Sequence, residues 1–230
     1  MGEGLRRGEG VLVIASPKHR QAFSRHLESQ GDDVANLLSS RQLVMWDAQQ
    51  SLLEFLVAGQ PDWPSFERTV RGAMRQVRPR EGVADLRAYG EMVGILWKAR
   101  QFAAAIRLEQ FWNKLLEQSA FSLYCAYAID LFGKDCELAN LDGILCTHTH
   151  LMPGRGDGAL ETALYRSMEE ILGTEAGELR LRMKTNNRPS WAVMPPAERI
   201  VLWLKKNLPE EAERILKRAS DYYQTLATAE

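Results

Sequence analysis

Four short apolar runs, each followed by a segment of helical period, constrain this chain more than any other feature. The first, "VLVIAS" (11–16), is continuous rather than alternating and rich in β-branched residues. Such a run suits a strand buried on both faces, as in a parallel sheet. Ser16 can cap the segment that follows, Pro17 suits a first helical position, and Gly31 stops it. "QLVMWDA" (42–48), "GVADLRAYG" (82–90) and "AFSLYCAYAI" (120–129) repeat the theme. The segments between them predict helices over 49–59, 62–78, 91–99 and 101–117. The expectation is an α/β domain over residues 1–150, with a mostly parallel sheet flanked by helices.

After residue 150 the character changes. "LMPGRGDGAL" reads as a linker, and 159–172 as a helix. "GELRLRMKT" (177–185) alternates apolar and basic residues, which predicts an edge strand or hairpin arm. Helices are expected at 196–206 and 209–226, the latter opening on Pro209, Glu210 and Glu211. Those acids disfavour a DNA-recognition helix, because they would face phosphate. Residues 151–230 therefore read as a mainly helical extension for dimerisation or signal transmission, with a transcriptional regulator as an alternative.

Composition narrows the classes. The chain is 45% hydrophobic and 26% charged, with a net charge of −1, so no broad nucleic-acid surface is expected. No apolar run approaches the roughly 18 residues of a membrane span. The polar, Gly-rich start is not a signal peptide, and three cysteines fit reduced thiols in a cytoplasmic protein. There is no P-loop, no spaced-glycine dinucleotide turn and no G-x-S-x-G elbow. No enzyme and no cofactor are expected on these grounds.

Some residues invite a chemical role. Cys146, His148 and His150 in "CTHTH" would share one face of a strand and are weak metal-ligand candidates, short of a full set for zinc. Cys125, inside an apolar run, reads as a small core residue. Trp97 and Trp112 read as core or pocket wall. Glu91 follows Gly90 at the carboxyl end of a predicted parallel strand, the edge where ligands bind in open α/β sheets. A carboxylate in a first helical turn also caps free N–H groups, so ligand contact and cap stay open together.

Taken together, "GLRRGEGVLVIASPKHRQAF", "LVMWDAQQSLLEFLVAGQPDWPSFE", "LRAYGEMVGILWKARQFAAAIRLEQFWNKL" and "FSLYCAYAIDLF" resemble the MEDS domain, a sensory domain of methanogens, methylotrophs and the regulator DcmR. The resemblance covers about residues 4–150. It implies a fold related to the RecA-like ATPases of the KaiC group, and a prokaryotic signal-input role beside histidine-kinase or regulator modules. It makes Glu91 a remnant of the acid that ends a strand in those ATPases or a repurposed ligand contact, with Asp47, at the end of another strand, facing the same crevice. A degenerate nucleotide binder is the alternative. The domain is expected to bind a small ligand or a partner signalling protein, with the strand ends Asp47, Tyr89, Glu91 and Tyr127 as the expected pocket contacts. Members usually carry a further strand and helix upstream, so an oligomer partner or residues 155–230, with "LRLRMK" as a replacement strand, is expected to cover the sheet.

Overall fold

The computed structural model describes residues 1–126, 138–152, 156–186 and 195–227. The chain divides into two compact units, Met1–Ala128 and Ile129–Glu230. The fold is α/β, with a parallel four-stranded sheet flanked by helices and a helical C-terminal region. Among the described residues, no helix is long and apolar enough to cross a membrane.

In the first unit, helix α1 (Gly2–Arg6) leads into strand β1 (Gly10–Ala15), followed by helices α2 (Pro17–Ser29) and α3 (Val34–Ser39). Strand β2 (Leu43–Asp47) and helix α4 (Ala48–Leu53) precede a small hairpin of β3 (Leu56–Val57) and β4 (Gln60–Pro61). Then come α5 (Trp63–Met74), β5 (Leu86–Gly90), α6 (Met92–Lys98), α7 (Phe102–Gln118) and β6 (Ser122–Cys125). The sheet order is β2-β1-β5-β6, every pairing parallel.

All six residues of β1 are buried, because helices cover both of its faces. Val11, Val13 and Ala15 pack with Leu5, Leu27, Val34 and Leu37 from α1, α2 and α3. Leu12 and Ile14 point the other way. On that side Gly90, the partner of Ile14, lies against Trp112 of α7. Trp112 is 1% exposed and sits edge-on to Phe66, whose ring also meets Phe55 and Phe111. Trp97 is buried and edge-on to Phe102.

Helix starts follow the sequence. Ser16, Asp33, Asp47 and Asp62 each accept from a backbone N–H three residues on. The helix expected over 49–59 is shorter, because Ala58 (φ 50°) and Gly59 (φ 76°) form a two-residue turn between β3 and β4. Two successive positive φ values are what such a hairpin turn requires and what a helix forbids. Helices α1 and α3 lie where no helix was expected.

The second unit comprises α8 (Leu138–Leu145), α9 (Asp157–Leu172), α10 (Glu175–Asn186), α11 (Pro196–Asn207) and α12 (Pro209–Ala227). Leu164, Met168, Ile200, Leu204 and Ile215 form its core. The edge strand expected at 177–185, the proposed replacement for a leading strand, is helix α10 instead. Ala176, Leu179 and Met183 join the helical core at spacings of three and four, the period of a helix face. The alternation in "LRLRM" is local, and Leu181 stays 64% exposed.

Candidate functional site

The chain passes from β1 to β2 on one side and then to β5 and β6 on the other. The winding therefore reverses between β1 and β5. In open parallel sheets that reversal leaves a crevice at the carboxyl ends of the strands. Ser16, Asp47 and Glu91 follow or end β1, β2 and β5 at this edge.

Glu91 bridges the crevice. It stands at the N-cap position of α6, yet its carboxylate makes no cap bond there. One oxygen accepts from the Ser16 backbone N–H at 2.9 Å, at the start of α2. The other accepts from the Tyr89 hydroxyl at 2.8 Å and meets His19 Nδ1 at 2.6 Å. The Glu91 backbone N–H donates to the Ile14 carbonyl at 3.0 Å. Glu91 thus caps a helix other than its own, at a helix N-terminus where negative charge is favoured.

The partners explain one another. The first turn of α2 carries Lys18, His19 and Arg20 and no acid. Positive charge at a helix N-terminus is unfavourable unless acids answer it. Asp47 answers Arg20 at 3.1 Å while also capping α4, and Glu91 brings a second carboxylate to the same end through the Ser16 N–H and His19 Nδ1. Arg20 Nε is buried with no hydrogen-bond partner among the described residues. Tyr89 sits with Phe23 edge-on at 4.8 Å and Tyr124 stacked at 5.9 Å. Burial, then the bond to Glu91, pushes its phenol well above the usual tyrosine range.

The structure brings Asp47, Tyr89 and Glu91 to one edge. Tyr127 lies outside the described residues. Trp97 and Trp112 are packed among aromatic neighbours in the core. Cys125 is half-buried and donates to Glu109 at 3.5 Å, and burial pushes its thiol up. Cys146, His148 and His150 are not gathered on a strand. They follow α8, where the Cys146 thiol donates to the Gly143 carbonyl and His148 Nδ1 to that of Ile144. A cavity of about 420 Å³ lies at the opposite edge, lined by Glu9, Asp85, Arg87, Phe121 and Ser122. Its two principal charges, Glu9 and Arg87, already satisfy each other in a two-point ion pair, so the carboxyl edge remains the candidate site.

Ser16, His19, Arg20 and Tyr124 were missed from sequence. The acid-free, basic first turn of "SPKHR" is the signal that could have found the first three.

A family profile described as "MEDS: MEthanogen/methylotroph, DcmR Sensory domain" matches residues 1–149. No curated protein and no solved structure matches the chain.

Proposed function

The chain belongs to the MEDS family of sensory domains, and on that premise we propose that it is a non-enzymatic, cytoplasmic signal-input protein. Its ligand is a small molecule that enters the strand-end crevice and is read by Asp47, Tyr89 and Glu91. The observation that carries this reading is the Glu91 bridge. One carboxylate ties the β1–α2 junction to the β5–α6 junction across the switch point. A ligand that breaks or tightens this bridge moves α2 relative to β5, and differential contact with two states is what a sensor requires. The downstream partner is a signalling protein of the histidine-kinase or regulator type, and the helical region Asp157–Ala227 serves oligomerisation or transmission.

A nucleotide binder is disfavoured. A nucleotide's phosphates need free backbone N–H groups at a helix start, and at α2 the Glu91 carboxylate already accepts from the Ser16 N–H and the Ser16 hydroxyl from that of His19. Thermal melting of the purified protein against nucleotides, divalent metals and small one-carbon or halogenated compounds tests the reading. One compound that raises the melting temperature with concentration, and fails to do so in Glu91→Gln measured against its own baseline, is the expected result. No shift across the panel would overturn ligand sensing in favour of protein docking.

A further inference from the structure

The carboxylate that bridges the sheet edge also prepares a nucleophile. We propose that His19 is a phosphoryl-acceptor site, modified on Nε2 by an activated small-molecule phosphoryl donor.

Glu91 is an acceptor with three donors on it: the Ser16 N–H, the Tyr89 hydroxyl and His19 Nδ1. A carboxylate accepts and His19 Nδ1 faces it, so in the neutral ring the proton belongs on Nδ1 and the lone pair on Nε2. Nε2 has no partner among the described residues, and the His19 side chain is 55% exposed. Glu91, whose side chain is only 10% exposed, is the fixed member of the pair. An exposed imidazole turned by a buried carboxylate, with its other nitrogen unpartnered among the described residues, is a base or nucleophile held in one tautomer. Two features favour phosphoryl over acyl transfer. His19 lies in the first turn of a 13-residue helix, and Lys18 is exposed beside it. Both place positive potential where the oxygens of a transferred phosphoryl group arrive.

The step balances with phosphoramidate as donor. The Nε2 lone pair forms the N–P bond as the donor's P–N bond breaks, and ammonia leaves with a proton taken from water. The Nδ1 proton stays on the ring, and Glu91 opposes the positive charge the ring acquires. In the product, Nδ1–H still donates to Glu91 while two new negative charges stand at the amino end of α2.

The inference rests on reading this edge as the signal-input site. The full-length protein is incubated with phosphoramidate at neutral pH and analysed by mass spectrometry under alkaline conditions, where phosphohistidine survives. His26, exposed on the same helix and without a carboxylate partner among the described residues, is the internal control. Labelling at His19 is expected on the order of tenfold faster than at His26, the smaller end of what a charge-assisted hydrogen bond contributes. His19→Asn should abolish the fast site, and Glu91→Gln should slow it to the His26 rate. Equal labelling of the two histidines in the wild-type chain overturns the proposal, with no need for either variant to fold. A melting shift with a small ligand but no preferential labelling sinks this proposal and leaves ligand sensing intact. Preferential labelling with no ligand shift does the reverse.

Discussion

Glu91 shows how one side chain can tie two chain segments whose ends are distant in sequence. Replacing it with Gln keeps the shape but puts an NH₂ group where an acceptor stood. A Gln oxygen turned toward Tyr89 and His19 leaves the amide nitrogen facing the Ser16 N–H, so at least one bond is lost. We expect Glu91→Gln to lose about 1–3 kcal/mol in urea unfolding. A change within about 0.5 kcal/mol, the range of an ordinary surface substitution, would mean that the bridge does not form in solution. At the other end of the sheet, Glu9 accepts from Arg87 in two places. The hydrogen bond to that guanidinium, and then its charge, hold the Glu9 carboxyl below the ordinary value of 4.5. A depressed folded pKa gives stability that is fully present above 4.5 and lost as pH falls through the lower folded value. Denaturation midpoints measured from neutral pH down into that acid range should therefore fall more steeply for the wild-type chain than for Glu9→Gln.

At the scale of elements, local chemistry and tertiary packing divide the work. Strand β1 is dictated by its residues, since an unbroken "VLVIA" has nowhere to go but a sheet interior. Its first residue is set by packing. A Cβ on Gly10 would stand 2.5 Å from Val77 Cγ1, so Gly10→Ala forces β1 or the Val77 segment to shift. Overpacking of this kind costs about 1–3 kcal/mol, to be read as a lowered urea midpoint with unchanged slope. Helix α10 is the opposite case, because its period-two sequence is overruled by the face it buries. Leu181 is exposed within it, so a tolerated side chain there would say little, but Leu181→Pro tests the helix itself. Proline removes a helical hydrogen bond and should cost about 3 kcal/mol, with loss of helical circular dichroism. In an exposed strand arm the same change would leave the helical signal untouched.

At the scale of the whole molecule, each of the two units has its own core. Leu204 is fully buried among α9, α11 and α12. Leu204→Ala should therefore cost about 2–5 kcal/mol, seen as lost amide protection across Asp157–Leu172 and Pro196–Ala227 in hydrogen exchange. Much of the architecture was legible in the sequence. The four parallel strands, the long helices after them and the closing helix pair follow from apolar runs, caps and prolines, which act over a few residues and leave their period in the chain. The candidate site was legible in part. Gly90–Glu91 at a strand end and Asp47 at another marked the edge, because strand ends in a parallel sheet are where backbone and side chains meet a crevice. What the residues could not disclose was the sheet order, and with it the neighbours of each strand end. His19 and Glu91 are 72 positions apart, and no local rule pairs them. Only the placement of β5 beside β1 brings that carboxylate to the amino end of α2. The sequence by itself determined which elements form and which acid waits at a strand end. The tertiary structure decided what that acid holds, because partner choice across a sheet depends on strand order, which the burial of apolar faces settles for the fold as a whole.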